Sequence, residues 1–352
     1  MAGIAVMGAG VLGLSAAVTL ARRGARVTVI ERAYPGAGAS GGLVGALAPH
    51  VPEGWNAKKA LQLESLLIGA DFWAEVARIG GRDPGYARLG RVQPLADDAA
   101  VARAREREAQ ARDLWQGRAA WRVVPATEVP GLRVVSPSGV VAHDTLTARI
   151  APRPAVAAVV AALAAMGVGI RQGDAPPADA EAVIWATGPA GLADLGRDLG
   201  APMGDAVKGQ AALLAADWRD APQVFGDGLH VVPHGDGTVA IGSTSERAFD
   251  AAGTTDAQLD TLIERVRALC PDLADAPVID RWAGLRARAP SRSPILGPWP
   301  GRSGHYVLNG GFKIGFGMAP KLAALTADLV LDGHDAIPAR LRVTDNLGGA
   351  SA

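Results

Sequence analysis

The chain has 352 residues, 49% of them hydrophobic, and 35 Lys and Arg balance 35 Asp and Glu to a formal net charge of zero. That length suits roughly two domains with a sizeable core, and the neutral balance excludes a general nucleic-acid binder, which needs a broad basic surface. A single cysteine, Cys270, excludes an intrachain disulfide and a cysteine-rich zinc site, and no metal site is expected.

From the N-terminus, Ile4, Ala5, Val6 and Met7 form a short apolar run, as expected of a parallel strand covered on both faces. Gly8, Gly10 and Gly13 follow as G-x-G-x-x-G, residues 14–23 read as a helix ended by Gly24, and 26–30 read as a second strand with Glu31 at its carboxyl end. Gly8 permits a tight turn, Gly10 lets a pyrophosphate approach the backbone, and Gly13 lets helix and strand pack closely. The helix start offers free N–H groups to phosphate, and Glu31 is placed to accept from a ribose hydroxyl. This arrangement predicts a dinucleotide site without deciding between FAD and NAD. The stretch "GAGASGGLVGALAPH" (36–50) is small and glycine-rich, suited to lie against a flat ligand, with Ser40 able to bond a phosphate oxygen.

Further on, residues 56–80, 98–116 and 256–269 read as helices, the second a charged, solvated one. "AVAAVVAALAAMGVGI" (155–170) reads as a buried helix running into a strand. Strands are expected at 207–214, 229–233 and 238–242, with "GDG" at 235–237 as a hairpin turn. "RWAGLRARAPSR" (281–292) gathers Arg281, Arg286, Arg288 and Arg292. Read as a strand, it puts Trp282, Gly284, Arg286 and Arg288 on one face, with Gly284 leaving room for a ligand between Trp282 and Arg286. Arg281 and Arg292 read as surface charges; Arg288 reads equally as a second anchor or a solvent-facing residue. Closely spaced glycines then open a helix from about Met318, and the last residues, "DNLGGASA", are expected to be disordered. No apolar run reaches the ~20 residues of a membrane span and no basic leader precedes the first strand, so a cytoplasmic protein is expected.

The fingerprint through Glu31, the "AS" loop, "GALAPH", "VIWATG" (183–188), "VKGQ" (207–210), "HVVPHGDGTVAIGSTSE" (230–246), "RWAGLRARAPSRSPILG" and "NGGFKIGFGMAP" (309–320) resemble, in order, motifs of the FAD-dependent D-amino acid oxidase superfamily, and within it the glycine oxidases. The resemblance implies an α/β fold: a Rossmann-like FAD-binding domain of the glutathione-reductase type, with an α+β substrate domain built on an antiparallel sheet. The FAD domain would use 1–50, 140–205 and 281–345, and the substrate domain 51–139 and 206–280, with 346–352 a tail. It implies non-covalent FAD, since no cysteine lies near the C-terminal motif. FAD contacts would fall at Gly8, Gly10, Val11, Leu12, Gly13, Glu31, Arg32, Ser40, Gly45, Ala46, Leu47, Pro176, Gly188, Gly311, Lys313, Ile314, Gly315, Phe316 and Gly317. Residues 174–182 are shorter than the hairpin usual there, which bears on the adenine contact near Ala175 and Pro176. Arg286 falls where the glycine oxidases bind the substrate carboxylate, Lys313 on a second substrate-contacting arginine, and His230 on a pocket tyrosine. His50 reads as structural or as approaching the flavin. Ala287 and "SRS" depart from the family's proline and aspartate–glycine turn.

The expected reaction is oxidation of a small amino acid at its α-carbon by FAD, giving a 2-oxo acid, ammonia and hydrogen peroxide. The substrate is a small carboxylate, the acceptor oxygen or another oxidant, and a homo-oligomer is left open. The alternatives are a dehydrogenase of D-amino acids, N-methyl amino acids or 2-hydroxy acids with a non-oxygen acceptor, a nicotinamide enzyme, and a nucleotide-binding regulator without turnover.

Overall fold

A computed structural model describes residues 3–347. Two sheets organise the chain. The first has six strands, ordered Ile295–Pro298, His305–Asn309, Ala182–Trp185, Gly3–Met7, Arg26–Glu31 and Gly169–Gln172. All neighbours are parallel except the edge pair Ile295–Pro298 and His305–Asn309. Its central strand, Gly3–Met7, is buried along nearly its whole length, as a strand covered on both faces must be. One face carries the helices Val11–Arg22 and Gly315–Asp332, on which Pro152–Ala165 and Ala57–Gly80 pack, and all four share one apolar core with the sheet through Leu14, Leu66, Val159 and Met318.

The second sheet has eight strands: Val278–Arg288, Asp205–Ala215, Thr238–Gly242, Leu229–Pro233, Gln223–Gly226, Arg91–Pro94, Val140–Asp144 and Trp121–Pro125. Neighbours are antiparallel except Gln223–Gly226 with Arg91–Pro94. One face packs against the helix Ala257–Leu269 through Leu259, Leu262, Ile263 and Val266, and Cys270 lies in this core. The other face turns Ala211, Val232 and Ala240 towards Leu43. The helix Gly188–Leu199 ties the two sheets, its Leu192 and Leu195 clustering with Ala287, Ile295 and Val307.

Helix ends follow local chemistry. Asn56, Asp97 and Asp256 cap the helices Ala57–Gly80, Asp98–Trp115 and Ala257–Leu269 by accepting a first-turn N–H, and Gly81 ends the first of these at φ 62°. The solvated reading of Asp98–Trp115 holds for its charged residues, while Ala104, Ala111 and Trp115 are buried. Two helices begin earlier than expected, at Val11 and Gly315, because glycine-rich turns lead directly into them.

Three expectations need correction. The strand Val140–Asp144, expected in the FAD domain, pairs with Arg91–Pro94 and Trp121–Pro125 in the eight-stranded sheet. The boundary at 281 likewise falls inside the strand Val278–Arg288, which pairs with Asp205–Ala215 along its length. The terminal stretch is ordered further than expected: Asn346 is buried, its Nδ2 donating to the carbonyls of Arg340 and Arg342 and its Oδ1 accepting from the Ser291 N–H. Residues 348–352 of that stretch lie outside the described residues.

Candidate active site

The carboxyl ends of four parallel strands, at Met7, Glu31, Trp185 and Asn309, open on one side of the first sheet, where open α/β sheets bind their ligands. A cavity of about 790 Å³ runs from there to the inner face of the second sheet. It joins Gly8, Gly10, Val11, Leu12, Glu31, Arg32, Ser40, Gly45, Ala46, Gly188, Gly311, Lys313, Gly315, Phe316 and Gly317 to Arg286 and His230. The sequence-predicted nucleotide and substrate residues therefore meet in a single cavity. Gly13, Leu47, Pro176 and Ile314 are not part of its lining. Gly13 instead packs on the Gly8 turn, where a Cβ would come within 2.1 Å of the Gly8 carbonyl oxygen. Leu47 is buried beneath Gly317, and Ile314 is the residue preceding the helix Gly315–Asp332. Beyond the strand Gly169–Gln172 the wall is made by Gly173 and Asp174 rather than Pro176.

The nucleotide end has the features a dinucleotide needs. Gly8 has φ +100°, and a Cβ there would lie 2.5 Å from the Ala186 carbonyl oxygen, so only glycine fits the turn. Ser40 Oγ accepts the Val11 N–H at 2.9 Å, which caps the helix and leaves its own hydroxyl hydrogen to donate. Gly10, at the N-cap, supplies no side chain, so the helix start can be approached closely. Glu31 accepts from the Ala9 N–H at 2.8 Å and the Ala33 N–H at 3.0 Å, fixing its carboxylate at the strand end. Thr187 Oγ1 is buried without a partner beside the start of the helix Gly188–Leu199, an orphan donor that a bound cofactor or water can satisfy. These residues fit FAD.

At the other end Arg286 is 8% exposed, and among the described residues its guanidinium makes one protein hydrogen bond, from Nη1 to the Thr244 carbonyl at 3.2 Å. Among the described residues no carboxylate lies within salt-bridge distance of it. Burial pushes its pKa down to about 10, against the opposing pull of Glu246, so it remains charged at neutral pH. Room for the guanidinium comes from Gly209 on the neighbouring strand: a Cβ there would lie 1.9 Å from Nη1 and 2.0 Å from Nη2. A second layer fixes the carbonyl that holds it. Thr244 Oγ1 accepts the Gln210 N–H at 2.8 Å and donates to the buried Glu246, which also accepts from Gln210 Nε2 at 3.0 Å.

His230 lines the cavity and packs against Phe225, the ring centroids 4.6 Å apart and the planes tilted by 40°. Burial first, then the charges of Arg91, Lys313 and Arg286, push its pKa down to about 3, so the imidazole stays neutral. Its Nδ1 is buried without a hydrogen-bond partner among the described residues. Behind Phe225 lies the buried Arg91, its Nε 3.0 Å from Asp144. Lys313 sits in the loop before the helix Gly315–Asp332, and its pKa is lowered by partial desolvation and then by Arg286.

The structure overturns one reading of the arginine cluster at 281–292. No ligand space remains at Gly284: a Cβ there would lie 2.4 Å from Trp282 Cζ2, because the indole folds over the glycine. The cluster itself disperses. Arg281 pairs with Asp260 at 2.7 Å, Arg288 with Asp205 at 3.6 Å, and Arg292 occupies a turn at φ 55°. His50 is held through its backbone N–H, 2.8 Å from Gln62 Oε1, and does not line the cavity. Burial raises the Cys270 thiol to about 12, in keeping with a packing role. Sequence reasoning missed Phe225, Gly209 and Arg91; "VKGQ" held Gly209, yet only the pairing of Gly209 with Gly284 reveals its purpose.

A two-sheet α/β protein with a dinucleotide cradle facing a buried, unpaired guanidinium belongs to the flavin-dependent oxidoreductase class. The chain is a member of the DAO family, described as FAD dependent oxidoreductase, whose profile matches residues 3–329; FAD is its cofactor. It is similar to a glycine oxidase of Pseudomonas aeruginosa, at 39% identity over 127 residues that cover 35% of this chain and 34% of that protein. The shares covered of the next two curated relatives are 44% and 52%, so the chain spans about half of these relatives' length or less. The crystal structure of glycine oxidase from Geobacillus kaustophilus superposes with a TM-score of 0.84 at 23% identity, covering 100% of both chains, and shows the shared fold. That of an iminodiacetate oxidase from Chelativorans sp. BNC1 gives a TM-score of 0.82 at 25% identity, covering 96% of this chain and 97% of that one. Among the described residues no helix is long and apolar enough to cross a membrane.

Proposed function

We propose that the protein is an amino acid oxidase whose Arg286 holds the substrate carboxylate. The observation that carries this reading is the guanidinium itself, buried, charged and joined to the protein by one backbone carbonyl. A buried unpaired charge is costly, and a planar guanidinium accepts a carboxylate through two parallel charge-assisted bonds. The family and the glycine oxidase relatives support it further.

Bound FAD would supply the two-electron oxidant for the α-carbon–nitrogen bond, held without a covalent link. The balanced change is amino acid plus oxygen plus water to 2-oxo acid, ammonia and hydrogen peroxide. Gly8, Gly10 and Val11 would receive the pyrophosphate with Ser40 donating to it, and Glu31 would accept from the ribose. Gly311 and Gly315–Gly317 would face the ring system, the helix start favouring negative charge there by roughly 0.3–1 kcal/mol. Arg286 orients the substrate, and Phe225, Leu285 and Phe312 exclude water from the reacting carbon. The neutral His230 can meet the substrate amine without repelling it. No side chain is required as a base if the amine binds uncharged. On this reading residues around the parallel sheet form the FAD domain, the eight-stranded sheet carries the substrate, and the enzyme is cytoplasmic.

The test is anaerobic addition of glycine, sarcosine and both enantiomers of small amino acids to the purified flavoprotein. Loss of the flavin absorbance with at least one of them is expected, and Arg286→Ala should cost about 3 kcal/mol, roughly a hundredfold in kcat/KM. No bleaching by any amino acid, or an unchanged kcat/KM in that variant, would remove the reading.

A further inference from the structure

The cavity is electrically lopsided. Its acidic lining residues, Glu31 and Asp174, both stand at the nucleotide end, on or just past the strands Arg26–Glu31 and Gly169–Gln172. The substrate end holds Arg286 and Lys313 with Phe225, Gly228, His230, Ser243, Leu285, Ala287 and Phe312, and no carboxylate. The Phe312 N–H donates to the Ala287 carbonyl at 3.1 Å, joining the loop that carries Lys313 to the strand that carries Arg286. Among the described residues neither cation has a carboxylate within 4.0 Å: the buried Arg286 differs in this from the buried Lys208, with Asp256 at 3.0 Å and Glu246 at 3.4 Å, and the buried Arg91, with Asp144 at 3.0 Å, while Lys313 is exposed, its Nζ 5.7 Å from the centroid of the Phe312 ring.

A monocarboxylic amino acid answers only one of these charges. With its carboxylate on Arg286, Lys313 is left without a counter-charge, and a substrate ammonium nearby is repelled by it. A substrate with two carboxylates and a neutral amine answers both. His230, which is uncharged, neither competes with nor replaces the second anion. We propose that the substrates are amino or imino acids bearing a second carboxylate, the first carboxylate on Arg286 and the second on Lys313; this rests on the amino acid oxidase reading above.

The test uses isosteric pairs differing only in the second charge: iminodiacetate against its monoamide, and each enantiomer of aspartate against the same enantiomer of asparagine. Anaerobic flavin reduction by the holoenzyme should show KM about tenfold lower for the diacid of the preferred pair, and raised salt should narrow the gap because part of it is screened Coulomb attraction. Lys313→Met should collapse the diacid-to-amide ratio of kcat/KM, and Lys313→Glu should invert it. Malonate and acetate provide a readout without turnover: calorimetric titration should find malonate binding about tenfold tighter than acetate in the wild type and not in Lys313→Met. Equal KM within each pair, or a preference that survives Lys313→Met, overturns the proposal. Flavin reduction by monocarboxylic amino acids with no charge preference sinks this inference alone, whereas no reduction by any amine sinks the oxidase reading with it.

Discussion

Replacing Gly209 with alanine tests the site without touching a residue that contacts the ligand. The added methyl would lie 1.9 Å from Arg286 Nη1, 2.0 Å from Nη2 and 2.1 Å from Cζ. These three nearest atoms all belong to the Arg286 side chain, and the backbone of Gly209 lies within the paired strand Asp205–Ala215, which alanine adopts freely. The closest clash therefore falls on the guanidinium, the far end of a flexible side chain, which must swing off its position. Losing the two charge-assisted bonds to a carboxylate is worth about 3 kcal/mol, and at 1.36 kcal/mol per decade that is roughly a hundredfold in kcat/KM. The assay is steady-state kcat/KM on a confirmed substrate, beside a thermal melt expected to shift by only a few degrees. Since Gly209→Ala and Arg286→Ala act through one group, the double variant should be no worse than Arg286→Ala alone. Additive losses, or retained kcat/KM in Gly209→Ala, would refute the geometry.

Ser40→Ala should remove both the cap on the Val11 N–H and the hydroxyl facing the pyrophosphate, weakening FAD binding about tenfold; the flavin-to-protein absorbance ratio after dialysis reads this. Gly8→Ala should give protein without flavin, because a Cβ there strikes the Ala186 carbonyl oxygen at 2.5 Å. His234, pushed down to about 4 chiefly by burial, and His230, at about 3, bind fewer protons folded than unfolded. Stability should therefore be flat above about pH 6.5 and fall below it, by about 1 kcal/mol per histidine between pH 7 and 5.5. Denaturant melts should show a shallower acid slope in His234→Gln.

The nucleotide end was readable because its signals are local. Apolar run, glycines, helix and terminal acid all fall between Gly3 and Arg32, and each has its purpose within that span. Arg286 was readable through its motif. What surrounds Arg286 was not, because it comes from long-range pairing. Gly209 matters only once it lies opposite Gly284, and Phe225 only once it pairs with His230. Half of the eight-stranded sheet escaped notice for a related reason. "RVQP" and "QVFG" are short, mixed in polarity and held in place by partners distant in sequence. The gap expected at Gly284 failed because period-two alternation fixes the face of a side chain, not the rotamer; Trp282 folds back over the glycine beside it.

On the proposed reading a buried guanidinium anchors an amino acid carboxylate before the flavin. Anaerobic titration of the flavoprotein with its best amino acid substrate and with that substrate's methyl ester tests it most directly, scored by loss of flavin absorbance. Ready bleaching by the acid, bleaching by the ester at roughly a hundredfold lower efficiency, and no distinction between the two in Arg286→Ala are expected. Equal bleaching by acid and ester in the wild-type protein would contradict it.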